Sequence, residues 1–244
     1  MIRFIGCCIF LGAYLILGIP VLGVEWIISK FNKKASDYQC LRMVQWAFNC
    51  MLKMSGVEVT VIGEENVPDE PVLYIGNHRS FFDILLTYTR CKGLTGYVSK
   101  KEMYKFPLLR DWMKRLYCLF LDRENQREGL KTILQAIDYV KNGISICIFP
   151  EGTRNKGEEL SMLPFHAGSF KIAEKSGCAI IPMSMNNTSE IFENHFPKIK
   201  KTHVILEYGK PIYMKDMDRE EKKHIAEYCQ NIIQETINKN QALV

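Results

Sequence analysis

The residues of this chain best suited to chemistry are a histidine and an aspartate five positions apart, His78 and Asp83. They follow an apolar run over residues 71–76 and precede a segment with a helical pattern. If that helix begins near Ser80, His78 lies in the preceding loop and can turn back onto Asp83. The carboxylate would then hold Nδ1–H and orient the ring, leaving Nε2 free to accept a proton. The pattern therefore fits a general base whose nucleophile is supplied by the substrate.

The same residues are also typical of a helix start. Ser80 and Asp83 have the spacing of a capping box, in which the aspartate side chain bonds to the backbone of the serine. In that interpretation His78 is an ordinary loop residue. Residues 77–83 by themselves leave both interpretations open.

Three further segments favour the catalytic interpretation. Phe-Pro-Glu-Gly-Thr-Arg occupies residues 149–154, Phe-Leu-Asp-Arg residues 120–123, and Ile-Ile-Pro-Met residues 180–183. Together with Asn-His-x4-Asp at residues 77–83, in this order and spacing, they make the chain resemble the glycerolipid acyltransferase family. The best-known members of that family are the 1-acylglycerol-3-phosphate acyltransferases. One departure is His166, which stands where relatives often carry lysine or arginine.

The resemblance implies an enzyme that moves a fatty acyl group from a thioester to a glycerol hydroxyl. The implied acceptor is the lysophospholipid 1-acylglycerol 3-phosphate, the product is phosphatidic acid, and the donor is acyl-CoA or acyl carrier protein. His78 would take the hydroxyl proton. Asp83, at a helix N-terminus where negative charge is favoured, would stabilise the imidazolium. No acyl-enzyme is needed, because the hydroxyl can attack the thioester directly.

The substrate-binding residues follow from the resemblance and from their chemistry. Backbone N–H groups around Gly152 are candidates for binding the oxyanion, because glycine lets a turn bring its amides close to a ligand. Arg154 has a planar guanidinium that can hold two oxygens of the acceptor phosphate. Glu151 cannot bind phosphate and is assigned to holding an arginine or an acceptor hydroxyl. The remaining predicted substrate-binding residues are Arg123, Thr153, Lys100 and Lys101.

Composition argues against several other classes of protein. Charged residues make up 24% and apolar residues 47% of the chain, which is typical of a globular protein. The net charge of only +5, with an apolar N-terminus, argues against nucleic-acid binding. The nine cysteines are odd in number and lack C-x-x-C spacing, which indicates free thiols in a reducing compartment. The five histidines show no metal-ligand spacing, so no metal and no other cofactor is predicted.

An apolar N-terminal stretch predicts attachment to membrane lipid. Residues 4–24 contain no charge and are long enough to cross a bilayer core as a helix, and a second, amphipathic segment covers residues 40–57. Two arrangements remain open: a single spanning helix, or a helical hairpin lying partly in one leaflet. Arg3 precedes the apolar run, whereas lysines follow it at 30, 33 and 34. This imbalance favours a catalytic domain at the cytoplasmic face of the membrane.

Beyond residue 55, strand-like segments alternate with helical ones. Leu130, Ile133, Leu134 and Ile137 have the spacing of an apolar helix stripe, and Ile225, Cys229, Ile232, Ile233 and Ile237 predict a second one. The alternation predicts an α/β fold with a mostly parallel central sheet flanked by helices, after an N-terminal membrane-attaching helical segment. We divide the chain into an N-terminal membrane-associated region, 1–55, and an acyltransferase α/β domain, 56–244. Strands are predicted over residues 57–62, 72–75, 144–149, 179–185 and 203–208.

Other functions remain compatible with the sequence. The same chemistry could act on glycerol 3-phosphate, another lysophospholipid or an acylated amino acid. A membrane-bound thioester hydrolase would use His78 to activate water, and a lipid-binding protein would keep the motifs without using them. Arg154 favours a phosphorylated acceptor over water. The intact pair of His78 and Asp83 disfavours a protein without catalytic activity.

Overall fold

The computed structural model describes residues 1–244, which begin with two long helices. Helix α1 (Ile2–Phe31) and helix α2 (Lys33–Ser55) are separated by Asn32 alone. The Asn32 side chain accepts a hydrogen bond from the Ala35 amide and so caps the start of α2. Gly56 ends α2 with φ of 72°, a left-handed conformation that glycine adopts without strain.

The two helices form an antiparallel hairpin. Near one end, Cys7 Sγ of α1 lies 3.5 Å from Ser55 Oγ of α2. At the other end, the Ser36 hydroxyl donates to the Glu25 carbonyl oxygen over 2.8 Å. The helical hairpin of the second arrangement is therefore present, and its placement partly in one leaflet stays a prediction.

One side of α1 packs on the rest of the protein. The Tyr14 and Trp112 rings lie 5.3 Å apart between centroids, and Gly18 faces the indole so closely that a Cβ would lie 2.9 Å from Nε1. The opposite side is apolar and solvent-exposed, and α1 is long and apolar enough to cross a membrane. The exposed large apolar residues of α1 are Ile2, Ile5, Ile9, Ile16, Leu17, Ile19, Val24, Trp26, Ile27 and Phe31.

The first turn of α1 contacts a segment far away in sequence. The Phe4 ring stacks on the Phe192 ring at 5.3 Å between centroids, with 18° between the ring planes. Phe196 lies edge-on to both rings, at 6.2 Å from Phe4 and 5.4 Å from Phe192. This aromatic cluster joins α1 to residues 192–196.

Buried polar side chains fix the other end of the hairpin to the rest of the chain. Asp37 is 2% exposed and lies 2.6 Å from Lys33 Nζ and 3.2 Å from Arg115 Nη1. The Arg115 guanidinium also donates to the Glu25 carbonyl oxygen, at 3.4 Å. Because a buried carboxylate is tolerated only when it is paired, Asp37 depends on these two cations.

The rest of the chain forms one mixed sheet of seven strands in the order β1-β7-β6-β2-β5-β3-β4. All neighbouring strands are parallel except β6 and β7, so the predicted mostly parallel sheet is confirmed. The strands are β1 (Glu58–Ile62), β2 (Leu73–Gly76), β3 (Thr95–Lys100), β4 (Leu119–Leu121), β5 (Ser145–Ile148), β6 (Ile180–Asn186) and β7 (His203–Tyr208).

Helices cover both faces of the sheet. Along β2, Leu73 and Ile75 pack on one face, with α5, α6 and α8, whereas Tyr74 packs on the other face, with α2, the end of α3 and α4. Successive side chains of a strand point to opposite faces of the sheet, and here both faces are buried. The helices after the hairpin are α3 (Phe82–Tyr88), α4 (Pro107–Arg115), α5 (Gln126–Lys141), α6 (Lys171–Ser176), α7 (Arg219–Lys223) and α8 (Ile225–Asn240).

Two details differ from the sequence-based expectations. Strands β3 and β4 were not predicted, because β3 contains Gly96 and polar residues and β4 has only three residues. In α5, Ile137 is buried as expected, but Leu130 and Leu134 are 59% and 55% exposed. The buried side of α5 instead includes Ala136 and Val140, because the helix is turned toward α6 and the sheet. In α8, Ile225, Cys229, Ile233 and Ile237 of the predicted stripe are buried, whereas Ile232 is only partly buried.

Candidate active site

The predicted motifs gather at the edge of the sheet where the parallel strands end. Residues 77–83 follow β2 and residues 149–154 follow β5, its direct neighbour. Carboxyl ends of parallel strands meet at one edge, which is where α/β proteins usually bind ligands. The Asn77 side chain fixes the first segment to β6 by donating to Met185 O and accepting from Met185 N, each at 2.9 Å.

The histidine and the aspartate are in contact, as the fold-back at the start of α3 predicts. His78 Nδ1 lies 2.8 Å from Asp83 Oδ2. The same oxygen accepts from the backbone amides of Arg79 at 2.7 Å and Ser80 at 2.8 Å. Asp83 therefore binds the Ser80 backbone, as the helix-start interpretation requires, and contacts the histidine at once, so the two interpretations of this motif are not exclusive.

The imidazole of His78 is held on one face by a ring that the sequence analysis did not single out. Phe149 stacks on it at 4.3 Å between centroids, with 12° between the planes. The His78 side chain is 15% exposed, and Nε2 has no hydrogen-bond partner in the chain. A ring fixed through Nδ1 and one face, with Nε2 free, is the geometry of an oriented base.

Glu151 has a different partner from the one predicted. Its Oε1 accepts from the His78 amide at 2.7 Å and its Oε2 from the Leu163 amide at 2.8 Å. Both oxygens thus bind backbone and neither contacts an arginine, whereas contact with an acceptor hydroxyl stays a prediction. Burial raises the pKa of the Glu151 carboxyl, and the two amides act in the opposite direction. Its task in the fold is to fix the backbone next to the imidazole.

We expect Glu151→Gln to destabilise the protein. The glutamine would direct its NH₂ group at one of the two backbone donors and leave a buried N–H unpaired. The free energy of unfolding should fall by about 1–3 kcal/mol as a result. The midpoint of thermal unfolding in detergent should fall, and Glu220→Gln, in a side chain that is 70% exposed, should leave it unchanged. An unaltered midpoint for Glu151→Gln would show that these two hydrogen bonds are dispensable.

Arg154 lies beside the histidine segment. Its guanidinium carbon is 3.9 Å from the centroid of the Phe81 ring, and its Nη1 is 2.9 Å from Glu193 Oε1. Nη2 and Nε have no acceptor in the chain and remain able to bind a ligand. Glu193 was missed by the sequence analysis. The sequence feature that could have indicated Glu193 is its position in the loop after β6. That strand is next to β2 in the sheet, so the loop lies at the same edge as the two motifs.

Gly152 forms a tight turn, but its own amide is already used. It has φ of 72° and donates its N–H to Phe149 O over 3.0 Å. The Gly152 amide is thus occupied, and the prediction that backbone N–H groups around Gly152 bind the oxyanion now concerns the neighbouring amides. The next two amides, of Thr153 and Arg154, have no acceptor in the chain. The Thr153 side chain is exposed.

The predicted basic residues divide into free and paired ones. Arg123 has no carboxylate partner, and its guanidinium carbon lies 3.5 Å from where a Cβ on Gly152 would be. The His166 ring lies 3.3 Å from the same point. Lys100, at the end of β3, is exposed and forms no ion pair.

Lys101 does not present a free charge. Its Nζ lies 2.9 Å from an Asp122 carboxylate oxygen and 3.6 Å from one of Glu124. The structure therefore does not support the predicted contact of Lys101 with phosphate, because two carboxylates already balance its charge.

Comparison with known proteins gives relatives with one recurring name. The 1-acyl-sn-glycerol-3-phosphate acyltransferase of Saccharomyces cerevisiae is 29% identical over 201 residues, 80% of this chain and 66% of the yeast protein. The Haemophilus influenzae enzyme of that name is 28% identical, covering 95% and 90% of the two chains. The chain spans a little less than two thirds of the yeast relative and 43% of a Chlamydomonas reinhardtii relative that is 31% identical.

A solved structure has the same fold. The crystal structure of the 1-acyl-sn-glycerophosphate (LPA) acyltransferase PlsC from Thermotoga maritima superposes with a TM-score of 0.83. The match covers 99% of this chain and 97% of that one, at 21% sequence identity. A family model described as Acyltransferase matches residues 58–186, which contain β1 to β6 and the motif segments 77–83 and 149–154. Since that match covers more than half of the chain, this protein belongs to the acyltransferase family.

Proposed function

We propose that this protein transfers a fatty acyl group from a thioester donor to the free hydroxyl of 1-acylglycerol 3-phosphate and so makes phosphatidic acid. The observation that carries the proposal is the 2.8 Å contact between His78 Nδ1 and Asp83 Oδ2, which leaves Nε2 free as an oriented base. The names of the yeast and H. influenzae relatives support this acceptor. The donor is acyl-CoA or acyl carrier protein.

The proposed reaction uses His78 twice. Nε2 takes the proton of the acceptor hydroxyl as the hydroxyl oxygen attacks the thioester carbonyl carbon. Asp83 stabilises the imidazolium that forms, because its Oδ2 keeps the hydrogen bond from Nδ1–H. The tetrahedral intermediate then collapses, the C–S bond breaks, and the leaving sulfur receives the proton from Nε2. The histidine returns to its neutral state, and no acyl-enzyme forms.

The proposed binding groups follow from which donors are free. The amides of Thr153 and Arg154 have no acceptor in the chain, so they are the proposed donors to the oxyanion. The free Nη2 and Nε of Arg154 are the proposed donors to the acceptor phosphate. Arg123 adds a positive charge beside Gly152, and Lys100 adds a further one at the same sheet edge.

We propose that residues 1–55 attach the protein to a membrane and that residues 56–244 carry the chemistry at its cytoplasmic face. The exposed apolar side of α1 supports attachment, since only 11% of the residues in its most apolar 18-residue stretch are buried. Lys30 and Lys34 lie near the turn of the hairpin, are exposed and have no carboxylate partner. Such lysines are attracted to an anionic lipid surface.

A panel of substrates tests the proposed function. Labelled acyl-CoA and labelled acyl carrier protein are each offered with 1-acylglycerol 3-phosphate, glycerol 3-phosphate, an uncharged monoacylglycerol, or no acceptor. We expect phosphatidic acid from 1-acylglycerol 3-phosphate to form fastest. The free arginine donors favour it over the uncharged acceptor, and the names of the relatives favour it over glycerol 3-phosphate. Preferred acylation of another acceptor would overturn the assignment of substrate. Release of free fatty acid at the same rate with and without acceptor would indicate a thioester hydrolase.

A further inference from the structure

Glu193 contacts both parts of the candidate site with one carboxylate. Its Oε1 accepts from Arg154 Nη1 at 2.9 Å and from the Phe81 amide at 2.8 Å, and its Oε2 accepts from Ser80 Oγ at 2.6 Å. Three donors therefore converge on a side chain that neither the histidine motif nor the arginine motif contains.

The position of this carboxylate is fixed independently of Arg154. A backbone amide and a hydroxyl of the turn before α3 hold it, and that hydroxyl in turn accepts from the Phe82 amide at 3.0 Å. On the other side, Phe192 and Phe196 pack against Phe4 and hold the short helical turn Glu193–His195 in place. Glu193 is thus a rigid acceptor, whereas Arg154 is a long side chain that gains order from it.

Two contacts together restrict the guanidinium of Arg154. Phe81 covers one face of its plane at 3.9 Å, and Glu193 binds one corner, Nη1. The edge that carries Nη2 and Nε is left free, and its direction is set by the other two contacts. A guanidinium oriented in advance loses less conformational entropy when it binds an anion.

We propose that Glu193 is a positioning residue that aims the free edge of Arg154 at the acceptor phosphate and keeps it in register with His78. This inference rests on the proposed function. The turn before α3 links the two groups. The Ser80 hydroxyl donates a hydrogen bond to Glu193, and the Ser80 amide donates one to Asp83 Oδ2. The acceptor phosphate and the acceptor hydroxyl are therefore held by groups attached to one rigid turn.

A Glu193 that competes with the acceptor phosphate would change the acceptor KM in the opposite direction from one that positions Arg154. If Glu193 mainly competed with phosphate for Arg154, removing its charge would improve acceptor binding. If it positions Arg154, removing the charge weakens binding, because the guanidinium loses its ion pair with the carboxylate and samples other rotamers. The sign of the change in acceptor KM therefore separates the two roles.

Glu193→Gln is the most informative variant, since it keeps the size of the side chain and can keep hydrogen bonds to Ser80 and Phe81. We expect KM for 1-acylglycerol 3-phosphate to rise about fivefold, with donor KM and kcat changing less. Glu193→Asp should recover part of the loss. Glu190→Gln is the matched control, because Glu190 lies in the same loop and binds His195 at 2.7 Å instead of Arg154; it should leave acceptor KM unchanged.

The decisive measurement repeats the substitution in a protein without the arginine. If Glu193 acts through Arg154, Glu193→Gln should add no further rise in acceptor KM to Arg154→Ala. An equal rise in both backgrounds, an unchanged KM, or a lower KM in Glu193→Gln would overturn the inference. A wild-type protein that does not acylate 1-acylglycerol 3-phosphate would instead refute the proposed function. Circular dichroism of each variant excludes loss of the fold as the cause.

Discussion

Replacing His78 with alanine is expected to lower the rate of acyl transfer by about 10²–10⁴-fold, the usual contribution of a general base. The protein should remain folded, because the imidazole makes one side-chain hydrogen bond and one stacking contact. Asp83→Asn should also reduce the rate strongly, since asparagine cannot stabilise the imidazolium with a negative charge. The measurement is kcat with saturating donor and acceptor, for each variant and for the double variant.

The base and its orienting carboxylate act as one unit, so their effects should not add. We expect the variant with both His78→Ala and Asp83→Asn to be little slower than His78→Ala alone. The matched control is His224→Ala, which removes an exposed histidine 3.6 Å from Glu227 and should leave the rate unchanged. Turnover of His78→Ala close to that of wild type would refute the assignment of the base.

Arg154→Ala is expected to raise KM for the phosphorylated acceptor and to leave KM for the donor nearly unchanged. Loss of a charged donor to phosphate costs on the order of 2–4 kcal/mol. That free energy corresponds to a rise of roughly 30- to 700-fold in acceptor KM. Steady-state kinetics with each substrate varied in turn separates the two constants.

Two comparisons make the Arg154 result specific. Arg127→Ala removes another exposed arginine, one without a carboxylate partner, and should have no effect on either KM. Uncharged monoacylglycerol offers a hydroxyl but no phosphate, so its slow acylation should be insensitive to Arg154→Ala. An equal loss with both acceptors would assign Arg154 to the oxyanion or to the fold.

Features that depend on nearby residues could be predicted from the sequence. The contact between His78 and Asp83 needs only a helix that starts between them, and their five-residue spacing next to an apolar run indicates such a start. Likewise, the central strands β2, β5 and β6 are continuous buried runs that stand out from their surroundings. Strands β3 and β4 lack such a continuous apolar run, because β3 contains a glycine and polar residues and β4 is short.

Features that depend on the order of the strands could not be predicted in this way. Glu193 meets Arg154 because β6 and β5 both neighbour β2, so loops far apart in sequence reach one edge. The use of Glu151 as a backbone acceptor also needs the position of Leu163, twelve residues further along the chain. The residues next to a carboxylate in the sequence do not show whether it binds a backbone amide or an arginine.

The stacking of Phe4 on Phe192 means that the proposed membrane anchor and the proposed substrate site depend on each other. A foreign transmembrane helix could return residues 56–244 to a bilayer, but it would lack the aromatic ring that supports residues 192–196. Membrane attachment would be restored, but residues 192–196 would lose that support. The first turn of α1 is therefore constrained by the rings it touches as well as by the proposed contact with lipid, so substitutions that preserve hydrophobicity are not equivalent there. Ile5, with its side chain exposed, is free of that constraint, whereas Phe4 is not.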